Sequence, residues 1–140
     1  MVVTAESCTG GLIAAALTEI PGSSSVVGRG FITYANDAKA ELLGVPLDAI
    51  REHGAVSEPV ARAMAEGALA RAPADISVGV TGIAGPTGGS SDRPVGTVQL
   101  AASRKGRETV CRREHFDGDR TAVRLATVEA ALDMMLGHIE

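Results

Sequence analysis

Near its start the chain runs Glu6-Ser7-Cys8-Thr9-Gly10-Gly11-Leu12, placing two hydroxyls and a thiol beside a pair of glycines. Val2-Val3-Thr4 ahead of it is β-favouring, and Leu12, Ile13, Ala16, Leu17 and Ile20 behind it recur at helical spacing. The stretch therefore reads as strand, tight turn, helix. A helix start leaves N–H groups unpaired at the positive end of the dipole, so it attracts anions. A serine held there can equally be a nucleophile whose oxyanion those N–H groups stabilise. Ser7 and Thr9 as plain helix caps, and Cys8 as either a reactive or an inert buried thiol, stay open alongside these readings.

Two more strand exits carry chemistry-bearing groups. One is Thr81-Gly82-Ile83-Ala84-Gly85; the other is Thr33-Tyr34-Ala35-Asn36, followed by Lys39. Tyr34 and Lys39 are five apart, which does not stack them on one helical face. Tyr34 instead ends a strand and Lys39 lies on the helix after it, where both can turn toward one cleft. Ligands of open α/β sheets bind outside the carboxyl ends of the strands, so convergence of the three exits is expected.

The elements that must position these residues follow from periodicity and turn chemistry. Val26 to Tyr34 reads as a strand; Asn36 or Asp37 caps a short helix ended by Gly44; Pro46 begins another short helical piece that stops at Gly54. Ser57-Glu58-Pro59 opens a helix to about Ala72 that presents Val60, Met64, Ala68 and Leu69 to a core. Asp75 to Val80 is a buried strand, and the glycine-dense stretch Thr81 to Pro94 is a long irregular connection. Val95 to Ala102 and Glu108 to Phe116 flank a hairpin turn at Ser103-Arg104-Lys105-Gly106, and a final helix carries the stripe Leu125, Val128, Leu132, Met135. The order β-α-β-α-α-β-β-β-α predicts a single-domain α/β sandwich over residues 1–140, with a mixed sheet carrying an antiparallel hairpin.

Composition narrows the function classes. Hydrophobic residues make up 45% of the chain but aromatics only 2%, so the core must be built from Ala, Val, Leu and Ile, with 17 glycines allowing close approach. The formal charge of −4 argues against broad nucleic-acid binding, and the basic cluster Arg104 to Arg113 has no aromatics interleaved with it. Cys8 and Cys111 share no metal-type spacing, and His53, His115 and His138 are scattered, so no metal site is expected. No apolar run approaches the roughly 20 residues of a membrane span, and a reduced, cytoplasmic setting is expected. The chain lacks Gly-x-x-x-x-Gly-Lys, Gly-x-Gly-x-x-Gly, Gly-x-Ser-x-Gly and Ser-x-x-Lys, which removes the phosphate-loop, dinucleotide and common serine-hydrolase signatures.

Taken together, ESCTGG, GFITYANDAKAELLGV, HGAVSEPVARAMAEGA, VGVTGIAGPTGGS, RPVGTV and FDGDRTAVR closely resemble the CinA C-terminal domain, the nicotinamide-mononucleotide deamidase family. The motifs occur in order over nearly the whole chain. The resemblance implies a three-layer α/β/α sandwich, no cofactor, and hydrolysis of the carboxamide of nicotinamide mononucleotide to nicotinate mononucleotide and ammonia. It makes Ser7 the expected nucleophile and Lys39 its base, with Tyr34 and Thr81 beside them and Arg120 near the site. Thr9, Gly10, Gly11 and Gly82 join Arg120 as expected substrate contacts, a phosphate being suited to a helix start or a glycine-rich loop. A small-molecule nucleotide is the expected partner, with no nucleic acid or membrane, and a homo-oligomer is expected. Relatives usually carry a helix before the first strand. A non-catalytic nucleotide-binding module on the same fold, linked to competence or DNA damage, is the alternative.

Overall fold

In the computed structural model, which describes residues 1–140, the strand β1 (Val2–Glu6) is buried on both faces. It lies between β2 (Val27–Ile32) and β3 (Ile76–Gly82) and runs parallel to both. β4 (Thr97–Arg104) is antiparallel to β3, and β5 (Val110–His115) antiparallel to β4, giving the sheet order β2-β1-β3-β4-β5. The helices are α1 (Leu12–Thr18), α2 (Asn36–Leu43), α3 (Leu47–His53), α4 (Glu58–Arg71) and α5 (Arg120–Ile139). Three helices, not two, separate β2 from β3, because the piece after Pro46 is a helix in its own right.

Alternation along the strands builds two cores. Val2, Ile76, Val78, Val80, Val98 and Leu100 pack with Ile13 of α1 and with Val123, Ala131, Met134 and Met135 of α5. Val3 and Ala5 face the other way, toward Leu43 of α2, Ile50 of α3 and Val60, Met64 and Ala68 of α4. The result is a three-layer α/β/α sandwich.

With few aromatics, the layers approach closely. A Cβ on Gly79 of β3 would sit 2.8 Å from the Ala65 nitrogen and 2.9 Å from the Ala61 carbonyl, so α4 rests directly on the strand. Gly67 of α4 meets the Leu43 carbonyl at the end of α2 in the same way, with no room for a methyl group. Gly67→Ala should therefore lower stability by about 2 kcal/mol, although alanine is the better helix former. A thermal melt reads this, and an unchanged or raised midpoint would contradict the packing.

On α5 the buried stripe differs from the one predicted. Val128 and Met135 are inside, but Leu125 is 56% exposed, and Val123, Thr127, Ala131 and Met134 face the sheet. Leu132 packs against the same core, so of the predicted stripe only Leu125 lies outside, and Thr127 satisfies its hydroxyl on the Val123 carbonyl at 2.7 Å. α1 ends at Thr18, leaving Ile20 exposed.

β1 connects to β2 through α1 on one face, whereas β2 returns to β3 past β1 through α2 to α4 on the other. The connections diverge on either side of β1, which opens a crevice at the carboxyl ends of β1 and β3.

Candidate active site

Strand alternation separates two neighbouring side chains. Glu6 turns toward α1, whereas Ser7, one residue on, faces the α2–α4 layer. The ladder continues past β1: the Ser7 N–H donates to the Val80 carbonyl (3.1 Å), and the Thr33 N–H donates to that of Glu6 (2.8 Å). α2 starts just after β2, which carries Lys39, within its first turns, over the end of β1.

Lys39 Nζ lies 3.0 Å from Ser7 Oγ, 2.8 Å from the Thr33 carbonyl and 3.1 Å from that of Tyr34. The side chain is only 1% exposed, and all three partners are uncharged. Burial lowers the lysine pKa below its usual value, opposed only by the nearby Cys8 thiol. The three acceptors match the three N–H bonds of the ammonium, and the same geometry also accommodates the neutral amine. In the neutral form two N–H bonds would go to the carbonyls, and the lone pair would face the Ser7 hydroxyl. Cys8 is itself buried, which pushes its thiol up to about 11 and makes it a poor nucleophile at neutral pH.

Gly10 and Gly11, at φ of 58° and 106°, turn the chain into α1. The Gly10 N–H donates to the Ser7 carbonyl at 3.1 Å, while the N–H groups of Cys8 and Thr9 donate to no other group. Of these two, only Cys8 lines the cleft, so its unpaired N–H beside the serine is the one free to meet an anion there. The turn is braced from within by Glu6, only 1% exposed, whose carboxylate accepts from Thr4 Oγ1 (3.1 Å), Thr9 Oγ1 (2.7 Å), Ile13 N (2.8 Å) and Ala14 N (3.0 Å). From outside, Arg124 of α5 donates through Nε to the Cys8 carbonyl (3.1 Å) and through Nη2 to the Thr9 carbonyl (3.2 Å).

These contacts place Thr9, Gly10 and Gly11, the expected substrate contacts, in the frame of the turn. The Thr9 side chain is fully buried on Glu6, and none of the three residues lines the cleft. The start of α1 is also unsuited to a phosphate, because Glu6 already occupies its N–H groups with a negative charge.

The cleft encloses about 200 Å³. Ser7, Cys8 and Lys39 form its floor, Thr81, Gly82 and Ala84 one wall, Ala55 and Val56 another, and Tyr34, Asn36 and Arg120 complete its lining. Thr81 donates its hydroxyl to the Ala55 carbonyl (3.0 Å), so it ties β3 to the α3–α4 connection. Gly82 is required there, since a Cβ would lie 2.8 Å from Val98 and 3.2 Å from Cys8 Sγ. Arg120 donates to the Gly85 carbonyl (2.7 Å) and to the Tyr34 hydroxyl (3.1 Å) rather than pairing with Asp117 or Asp119. The Tyr34 hydroxyl makes no hydrogen bond to Ser7 or Lys39; only its carbonyl reaches the lysine. A larger hollow of about 350 Å³ between β5 and the end of α5 contains Arg112, already paired with Asp133. No three His, Cys, Asp or Glu side chains converge on a point that could hold a metal ion, and no helix is long and apolar enough to cross a membrane.

Sequence reasoning passed over Glu6 and Arg124. The Glu6 bonds to α1 reach seven and eight residues ahead, beyond any local capping pattern, and Arg124 lies 116 residues from Cys8. The available signals were a glutamate at a strand end and a second arginine one helical turn beyond Arg120.

Comparison with known proteins places this geometry in a family. The family model of the CinA C-terminal domain matches residues 1–139. A CinA-like protein of Syntrophus aciditrophicus is 56% identical over 136 residues, covering 96% of this chain and 32% of that protein. The nicotinamide-nucleotide amidohydrolase PncC of Escherichia coli K12 is 52% identical over 134 residues, covering 96% of this chain and 81% of that protein. The chain thus spans about a third of some relatives and most of others. Among solved structures, the competence/damage inducible protein CihA from Agrobacterium tumefaciens superposes with a TM-score of 0.98 at 53% identity, over 100% of this chain and 86% of that one. With the family model matched over nearly the whole chain and the fold superposing on a solved relative, the chain belongs to the CinA C-terminal domain family.

Proposed function

We propose that the chain is an amidohydrolase that converts nicotinamide mononucleotide to nicotinate mononucleotide and ammonia, with Ser7 as nucleophile and Lys39 as its base. The observation that carries this reading is the buried Lys39 amine 3.0 Å from Ser7 Oγ with no counter-charge. The PncC relative bears the name of that activity. Lys39 takes the Ser7 proton as Oγ attacks the carboxamide carbon, and the unpaired N–H of Cys8, which lines the cleft, is the donor for the oxyanion of the tetrahedral intermediate. Lys39 then gives the proton to the departing nitrogen, which leaves as ammonia and an acyl ester on Ser7. Water, deprotonated by Lys39, attacks that ester and releases the acid and free Ser7.

The cleft is smaller than most ligand pockets, so the nicotinamide end enters it and the phosphate stays at the mouth. Arg120, held there by Gly85 and Tyr34, is the cation placed to meet it. We assign the chain to the cytoplasm as a homo-oligomer, a second copy covering exposed apolar side chains such as Ile32 and Leu125.

The test is incubation of the pure protein with nicotinamide mononucleotide, following ammonia and the acid product. Stoichiometric release of both, lost in Ser7→Ala, is the expected result. Tight binding without product would replace this reading with a nucleotide-binding module.

A further inference from the structure

Two stretches of the chain take no part in the proton chemistry above, His53-Gly54-Ala55-Val56 before α4 and Arg93-Pro94-Val95-Gly96 before β4, and the structure joins them. Arg93 donates through Nη2 to the His53 carbonyl at 2.6 Å, across 40 residues of sequence. Its guanidinium lies over Gly54, where a Cβ would come within 3.1 Å of Nη1. The acceptor is the last carbonyl of α3, at the negative end of the helix dipole, so a cation is well placed there.

This bond acts on a wall of the cleft. Ala55 and Val56, which form that wall, sit in the connection between α3 and α4, where successive carbonyls are each held by a side chain. Arg93 holds that of His53, Ser57 Oγ donates to that of Gly54 (2.7 Å), and Thr81 Oγ1 donates to that of Ala55 (3.0 Å). Ser57 belongs to the connection itself, so the hydrogen bonds that tie this wall to other parts of the cleft come from Thr81 and Arg93. The segment that carries Arg93 also carries Ala84 of the facing wall, and it is closed on itself. The Ile83 N–H donates to the Thr97 carbonyl (2.9 Å), the Gly96 N–H to the Ile83 carbonyl (2.8 Å), and the Ser90 N–H to the Arg93 carbonyl (2.8 Å). Val95 packs over Gly85 and Gly89, where a Cβ on Gly89 would lie 2.7 Å from the Val95 nitrogen. Arg93 therefore joins the wall of Ala55 and Val56 to the segment bearing Ala84.

We propose that Arg93 is a positioning residue that sets the width of the cleft, and with it the size of the amide that reaches Ser7. The kinetic effect rests on the reading of Ser7 as the nucleophile of an amidohydrolase; the width does not. Ser7 and Lys39 take no bond from Arg93, so the fit of the substrate responds rather than the chemistry.

Arg93→Ala and Arg93→Lys test this by two routes. The first compares nicotinamide mononucleotide with its N-methyl carboxamide analogue, wider by one methyl group at the scissile nitrogen. In the alanine variant KM for the nucleotide should rise about 10-fold with kcat within about threefold, and the preference over the analogue should fall about 10-fold, as one carbon commands in a fitted pocket. The second route needs no turnover. N-ethylmaleimide alkylates the Cys8 thiol on the cleft floor, with Cys111 on β5 as the internal reference. The ratio of Cys8 to Cys111 labelling, read on their peptides, should rise about fivefold or more in Arg93→Ala as access widens. Lysine keeps a cation within reach of the His53 carbonyl and should fall between alanine and wild type in both. An unchanged preference, an unchanged labelling ratio, a loss confined to kcat, or a lysine variant as permissive as alanine would overturn the inference. A wild-type protein that hydrolyses neither amide removes the proposed activity alone, and the labelling ratio still decides the role of Arg93.

Discussion

Lys39→Met is expected to lower kcat on nicotinamide mononucleotide about 1,000-fold or more, with melting within about 1 kcal/mol of wild type. The kinetic part follows from geometry: without the amine, nothing within hydrogen-bond distance accepts the Ser7 proton, and general-base loss of this kind costs two to four orders of magnitude. The stability part follows from two opposed changes. Methionine leaves the Thr33 and Tyr34 carbonyls without their donor, but it also removes a polar group that burial penalises. A Ser7→Ala variant should match the kinetic loss. The pH profile gives the same base an independent signature. Burial lowers the Lys39 pKa, so the neutral, reactive amine gains population as pH rises, with a midpoint below the ordinary lysine value of about 10.4. Activity should climb through that midpoint, and the limb should be missing from the residual activity of Lys39→Met. The sign for stability agrees: between the folded pKa and that of the unfolded chain, the unfolded state binds the extra proton, so stability rises with pH in that window. A flat profile in the wild type, or a methionine variant that retains most of its turnover, would remove Lys39 as the base.

How much of this was legible in the sequence depends on the range of each interaction. The strand–turn–helix at Ser7 was readable because alternation, paired glycines and helical spacing are local. The layers followed from those periods, since Val3 and Ala5 against Val2 and Thr4 obey the two-residue repeat. The stripe of α5 was readable at Val128, Leu132 and Met135 but not at Leu125, while buried Thr127 and Ala131 carry little apolar signal. Thr127 and Ala131 are fully buried, whereas the larger and more apolar Leu125 is exposed. Topology put the exits carrying Ser7 and Lys39 on one cleft, but their pairing as nucleophile and base entered through resemblance; no spacing rule joins residues 32 apart. Tyr34 was expected beside Ser7 and Lys39 with no atom specified, and the structure uses its carbonyl at the lysine and its hydroxyl at Arg120. A backbone oxygen has no identity in a sequence, which is why that division of roles was hidden.

The same logic gives Glu6 the largest expected effect on stability. Its carboxylate serves four donors at once: two hydroxyls and the first free N–H groups of α1. Glu6→Ala orphans all four in a site that water does not reach, and should cost about 3–5 kcal/mol, a large part of the 5–15 kcal/mol that holds a typical domain. For a chain of this length that is a fall in melting temperature of roughly 10 °C or more. Glu6→Gln separates charge from shape. The amide keeps the volume and one acceptor oxygen, but its NH2 faces the Ala14 N–H or the Ile13 N–H, two donors meeting head on, so about 1–3 kcal/mol is lost. The order wild type, glutamine, alanine is therefore expected in melting experiments. Activity should follow the same order more steeply, because Thr9 loses its anchor and the turn carrying Ser7 loosens. If glutamine melts like wild type, the helix start does not depend on a charge at Glu6. That outcome would reopen the start of α1 as a place for the substrate's phosphate, since a neutral cap leaves the helix dipole uncompensated.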